Sequence, residues 1–264
     1  MDLDLWILTA AFGAGLLISV VTTPVGVSGA VFLLPVQVSV LGVPSPSVTP
    51  TNLMFNLVSI PGALARYRRS GSLRSPLTRL LIAGTVPGVV VGAIVRVVVL
   101  PDPRPFKLIV GALLLPLGAW LLLQTRASRP RRQTTDGPDR RVVVALALAA
   151  GLVGGVYGIG GGSLLSPILV GRGMVTAVVA PAALTSTFIT SGVGAVTFIV
   201  LAVATGDSTI APIWLLGLAL GLGGLIGGYL GAHYRSLMPE RALKGVLGIL
   251  AVATAALYLV EVLA

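Results

Sequence analysis

The chain of 264 residues has no cysteine, one histidine, and charge on only 10% of its positions. Without cysteine there is no disulfide, no thiolate nucleophile and no zinc–cysteine site. With His233 alone, a histidine metal cluster is excluded, so no metal is expected. Soluble domains carry about 25% charged residues; this chain has too few to coat a water-facing surface. Acidic residues are scarcer still, 8 against 18 basic ones, and none falls in the middle of an apolar run. Proton-coupled carriers keep a carboxylate or histidine at such places. Coupling here would use the substrate's own proton or no ion.

In excess are hydrophobic residues, 55% of the chain, and 34 glycines. Mean hydropathy is +1.01, so lipid is the solvent for most of the chain. In a soluble protein the net charge of +10 would suggest nucleic acid. Here the basic residues cluster between apolar runs and set orientation in a bilayer. Lipid is thus an expected partner and nucleic acid is not; self-association is left open. The N-terminal "MDLDLWILTAAFGAGLLISVV" is acidic ahead of its apolar run, unlike a cleaved signal peptide, and reads as a retained span.

A spanning helix needs about 20 apolar residues. Clear candidates are 4–23, 48–65, 77–99, 105–124, 178–204, 211–232 and 241–263; shorter or broken ones are 26–43, 142–157 and 160–171. The polar stretch "QTRASRPRRQTTDGPDRR" divides the chain near its middle. Around it lies an internal repeat. "GVSGAVFLLP" (26–35) aligns without gaps on "GIGGGSLLSP" (158–167), and "PTNL" (50–53) on "LTST" (184–187). "PGVVVGAIV" (87–95) parallels "GGLIGGYLG" (223–231), and "LPDPRPFKLIVG" (100–111) parallels "LMPERALKGVLG" (237–248). The expected organisation is a first transmembrane repeat (1–124), a basic cytoplasmic linker (125–141) and a second repeat (142–264).

Basic loops face the cytoplasm. Placing "RYRRSGSLR" (66–74), the linker and "HYRSLMPERALK" (233–244) inside, with "TGDST" (205–209) outside, requires the second repeat to be inverted. The predicted fold is all-α and integral to the membrane: two inverted repeats of about five hydrophobic segments each, with broken or re-entrant helices. Both termini then lie outside a cell membrane, the bacterial inner membrane being the expected one. Lys107 and Lys244 are expected to snorkel to headgroups.

Inverted repeats with paired broken helices point to a transporter whose substrate sits near the midplane. A helix N-terminus there presents unpaired N–H groups and a partial positive charge, which suits a small anion. The candidate cradle is Gly158, Gly160, Gly161, Gly162 and Ser163 in the second half, with Gly26, Ser28 and Gly29 in the first. Thr51, Asn52, Thr185 and Ser186 are candidate side-chain donors, as is Tyr157. Asn56, Ser59 and Thr190 are secondary ones. Close helix packing is the competing explanation for the glycines, and interhelical bonding or capping for the hydroxyls and amides. A dinucleotide fingerprint would need a βαβ unit, which is not here, so no cofactor is expected.

At these residues the chain resembles the sulfite exporter TauE/SafE family of membrane permeases. The resemblance rests on "GIGGGSLLSP" with Thr185 and Ser186, on "GVSGAVFLLP" with Thr51 and Asn52, on "GALARYRRSG" and on "PGVVVGAIV". It implies export or uptake of small sulfur-containing anions such as sulfite, sulfoacetate or thiosulfate, or of related organic anions, and no enzymatic activity. Ser28, Ala30 and Asn52 depart from the pattern, so the second half is expected to matter more for binding. A non-transporting scaffold or accessory subunit is the alternative; an intramembrane enzyme would need a nucleophile–base pair that the spans lack.

Overall fold

The computed structural model describes residues 4–69, 73, 75–100, 103–126, 139–237 and 239–263; most of the expected linker lies outside them. Among the described residues there is no strand. Ten α-helices follow one another: α1 (Leu5–Thr22), α2 (Ala30–Pro35), α3 (Ser45–Arg68), α4 (Pro76–Val98), α5 (Pro103–Arg126), α6 (Arg140–Tyr157), α7 (Gly161–Gly171), α8 (Thr176–Thr205), α9 (Trp214–His233) and α10 (Glu240–Leu263). A 3-10 turn (Thr23–Val25) ends α1, and a π turn (Val36–Val40) follows α2. Helix is what lipid demands, since a backbone with no water near it must satisfy its own polar groups.

Among the described residues, six segments are long and apolar enough to cross a membrane: Leu5–Val25, Pro76–Val98, Arg140–Tyr157, Thr176–Thr205, Ser208–His233 and Gly245–Val262. The chain is therefore a multi-pass, all-α membrane protein. Helix α3 is long enough at 24 residues, yet too polar to be among the six. Its polar residues Ser47, Thr49, Thr51, Asn52, Asn56 and Ser59 are buried, while large apolar residues such as Leu17, Val200 and Val260 are exposed. Polar inside and apolar outside is the order lipid imposes. Helix α7, with 11 residues, is about 16 Å long and reaches only partway across.

Glycine rows set the helix contacts. A Cβ on Gly223, Gly227 or Gly231 of α9 would overlap the carbonyls of Phe12, Leu16 or Val20 of α1. Both series rise together, so α1 and α9 are parallel. Gly84, Gly88 and Gly92 of α4 likewise pack on Val144, Leu148 and Leu152 of α6, again in parallel. Helices α5 and α10 run antiparallel, with Gly111 at Ala255, Gly118 at Gly248 and Gly245 at Thr125. Helices α3 and α8 also run antiparallel, with Gly192 near Leu57 and Gly194 near Leu53. Exchanging α1–α5 with α6–α10 carries each main contact onto another: α1–α9 onto α6–α4, α3–α9 onto α8–α4, and α3–α8 and α5–α10 onto themselves.

Polar contacts hold the helix ends. Lys107 does not reach for headgroups as expected; its Nζ lies 2.8 Å from the Glu261 carboxylate, tying α5 to α10. The Lys244 side chain lies outside the described residues. Arg66 Nε donates to His233 Nδ1 at 3.2 Å. Beyond α8, Thr209 donates to Asp207 through its hydroxyl and its backbone N–H, which holds the exposed carboxyl below its usual range.

Candidate functional site

The two glycine segments fold alike. After α1 and its 3-10 turn, Gly26 takes φ 76°; after α6, Gly158 takes φ 69°. Only glycine adopts this left-handed backbone without penalty. Each then leads into a short helix, α2 or α7. Gly160 also has φ 69°, whereas Gly29, at the start of α2, has an ordinary helical φ of −57°.

The breaks touch each other. The Ser28 N–H donates to Ser163 Oγ at 3.2 Å. Ser163 Oγ donates to the Ile159 carbonyl at 3.0 Å, so toward Thr187 Oγ1, 3.3 Å away, it is the acceptor. Ser28 Oγ donates to Asn56 Oδ1 and accepts from the Ala30 N–H. Ser28, Asn52, Asn56, Ser163 and Thr187 are all buried, together with Gln37, whose Nε2 donates to Asn52 Oδ1.

Helix α3 holds the second break through three side chains. Thr49 Oγ1 donates to the Val156 carbonyl at 2.9 Å, Asn52 Nδ2 to the Tyr157 carbonyl at 3.4 Å, and Asn56 Nδ2 to the Gly158 carbonyl at 3.1 Å. The last carbonyls of a helix have no partner within it, and leaving one unpaired in lipid costs several kcal/mol. Three and four residues apart, Thr49, Asn52 and Asn56 share one face of α3 and meet three successive carbonyls. Asn52 also donates to the Ala30 carbonyl at 3.3 Å.

Behind this face lies Arg96, near the end of α4, with 2% of its surface exposed. Its guanidinium donates to Thr49 Oγ1, the Leu100 carbonyl, and the Ser45 carbonyl and hydroxyl. The buried Tyr157 ring lies within electrostatic reach of it.

The glycines of the second break are themselves in tight contact with protein. A Cβ on Gly158 would overlap the Thr49 carbonyl, one on Gly160 the Thr187 methyl, and one on Gly162 the Ala183 carbonyl; on Gly161 it would lie 2.6 Å from Thr85 Cγ2. Close packing requires glycine at all four. In the first break, Gly26 is pressed against Ala180 and Ser166, and Gly29 against Phe55 and Ser19.

Of the remaining candidates, Ser186 joins Thr85 of α4 at 2.9 Å, beside Gly161. Thr51 and Thr185 turn away from the break. Each donates to the carbonyl one turn back, Ser47 at 2.6 Å and Pro181 at 2.7 Å. Sequence reasoning missed Thr49, Gln37, Thr187 and Arg96 at the breaks and gave Asn56 too little weight. Gln37 and Arg96 were visible as lone polar residues inside the apolar runs "FLLPVQVSVL" and "GAIVRVVVL"; Thr49 and Asn56 were visible as helical neighbours of Asn52.

A cleft of about 440 Å³ opens beside α5 and α7, walled by Pro116, Leu117, Trp120 and Ile168, with Arg172 on its rim. Leu117 and Trp120 also wall a narrower, mainly apolar space of about 30 Å³, lined in part by Ser163.

The family model described as sulfite exporter TauE/SafE matches residues 11–258, which takes in both breaks. No curated protein and no solved structure matches the chain. A polar centre formed by two glycine breaks within a multi-pass helical bundle, together with a family match over nearly the whole length, places this chain in the sulfite exporter TauE/SafE family of membrane transporters.

Proposed function

We propose that the chain carries a small sulfur-containing or organic anion, of the sulfite, thiosulfate or sulfonate kind, across a cell membrane. It does so by rocking one five-helix repeat against an inverted second one. The observation that carries this reading is the hydrogen bond from Ser28 to Ser163, where the two breaks meet among buried amides and hydroxyls. The antiparallel pairing of α3 with α8 and of α5 with α10 supports the inversion, since those are equivalent members of the two halves. Expected outer groups also meet in space, Lys107 with Glu261 and Ser47 with Thr209, as do the expected inner ones Arg66 and His233.

In this reading the anion binds between Ser28, Asn52, Asn56, Ser163 and Thr187. Hydroxyls and amides donate to an oxyanion without the desolvation penalty of a buried charge. The glycines allow the breaks to pack closely and so bring those donors together. When the repeats shift, Asn52 and Asn56 exchange helix carbonyls for substrate oxygens, and the helix ends are closed again when it leaves.

The test is flux into proteoliposomes with sulfite, thiosulfate, sulfate, methanesulfonate and carboxylates. Wild type is expected to carry a sulfur oxyanion. Ser163→Ala should slow it roughly tenfold, the value of one hydrogen bond to a charged group, while Thr185→Ala leaves it unchanged. No flux of any anion overturns the transport reading, and equal losses in the two variants overturn the placement of the site. For orientation, Asp207→Cys should react with an impermeant thiol reagent outside intact cells and Arg69→Cys should not; the reverse pattern ends the proposed topology.

A further inference from the structure

Gln37 is polar at a place where the fold does not need polarity. It lies on the π turn that follows Pro35, fully buried, and its Nε2 donates to Asn52 Oδ1. Its Oε1 is buried with no hydrogen-bond partner. Leaving a buried acceptor unsatisfied costs about 1–3 kcal/mol. The gapless alignment of the two breaks sets Leu169 at the same position of the second repeat, and that leucine is also fully buried. In the second half that place is taken by leucine, within the regular helix α7.

The amide is joined to the donor set: Asn52, its partner, donates to the Ala30 carbonyl at one break and to the Tyr157 carbonyl at the other. Donors around that centre suit the charged oxygens of an anion. A spare acceptor suits a hydroxyl on the same anion. We propose that Gln37 Oε1 accepts a hydrogen bond from a protonated oxygen of the substrate, so that the site selects a hydrogen-bearing monoanion over an anion of the same size without such a proton. This rests on the anion-transport reading and narrows its substrate class. It also gives coupling a physical form: a proton crosses on the substrate, and no carboxylate in the spans is needed to carry it.

Two probes separate the classes. Sulfite exchanges a proton near neutrality, and its monoprotonated form can carry an O–H; methanesulfonate is of similar size and carries none. In proteoliposomes, wild type should favour sulfite over methanesulfonate by roughly tenfold or more, as one hydrogen bond to a buried acceptor implies. That preference should fall as pH rises and the proton is lost. Gln37→Leu installs the residue of the other repeat. It removes the orphaned Oε1 but leaves Asn52 Oδ1 without its donor, so one unpaired acceptor replaces another and the melting temperature should change little. Whatever the flux of each probe, the ratio of sulfite to methanesulfonate should lose most of its preference and its pH dependence. An unchanged preference in Gln37→Leu, or no preference in wild type, overturns the assignment. Binding read as a ligand-dependent rise in melting temperature separates the two levels. Sulfite binding that is selective, dependent on Gln37 and unaccompanied by flux overturns transport alone; equal stabilisation of wild type by both probes overturns the role of Gln37.

Discussion

The two glycine breaks share a backbone and differ in what closes them. Gly26 and Gly158 take nearly the same left-handed conformation, and each leads into a short helix. At the second break, Thr49, Asn52 and Asn56 reach across from α3 to three successive carbonyls. At the first, the Val25 carbonyl accepts from Ser166 Oγ, and the Thr23 carbonyl from the Tyr67 hydroxyl and the Gly26 N–H. The α8 counterparts of Asn52 and Asn56 are Ser186 and Thr190, by the alignment of "PTNL" on "LTST". Ser186 reaches only as far as Thr85, and Thr190 bonds carbonyls of its own helix. A shared motif thus fixes the turn, and which side chains of the neighbouring helix reach its carbonyls decides how it is held. Asn52 and Asn56 reach carbonyls of the second break, whereas Ser186 stops at Thr85 and Thr190 folds back on its own helix. The glycine-rich break belongs to the second repeat, but its clamps belong to the first.

The largest effect expected is at the clamp's pivot. Gly158→Ala imposes a left-handed backbone on alanine, about 1–2 kcal/mol, and drives its Cβ into the Thr49 carbonyl. Gly206→Ala has a similar φ of 67° with open space around it and should show the backbone penalty alone. Size-exclusion profiles in detergent should show aggregation for Gly158→Ala and a normal peak for Gly206→Ala; matching profiles would mean the contact with α3 is unimportant. Next is Asn56→Leu, which leaves the Gly158 carbonyl and the Ser28 hydroxyl without their partner and should cost about 2–3 kcal/mol in thermal unfolding. Ser166→Ala, at the first break, removes one bond and should cost about 1 kcal/mol. Were Ser166→Ala the more damaging, the first break would be the better anchored. The smallest effect is Thr185→Ala, which loses only a bond within its own helix and should fall within about 0.5 kcal/mol.

The segments, the paired breaks and the membrane setting were legible in the sequence because each leaves a compositional mark. Apolar runs fix helices, and a glycine cluster closed by proline fixes a turn. Which member of a polar pair faces the centre was less legible. Neighbouring helical residues do not face the same way, so Asn52 and Ser186 point inward while Thr51 and Thr185 bend back on their own helices. The glycines were ambiguous for another reason. A backbone approached by a ligand and one approached by another helix both exclude a Cβ, and at Gly158 and Gly162 the group approaching is a carbonyl of another helix. Helix partners left no local mark at all, because the groove that receives Gly223, Gly227 and Gly231 is made of the carbonyls of Phe12, Leu16 and Val20, and every residue has a carbonyl.

That last contact bears on how the protein is made. Helix α1 precedes its main partner, α9, with seven helices between them, so it is made well before that partner. Helix α4 likewise precedes its main partner α6. The surfaces of α1 and α4 on which α9 and α6 pack are thus expected to stay unpaired until those helices are made. Neither α1–α5 nor α6–α10 completes its packing alone, and the bundle closes through contacts distant in sequence, which is slow in kinetic terms. Two half-chains made separately should remain open until they meet and then interlock into one body.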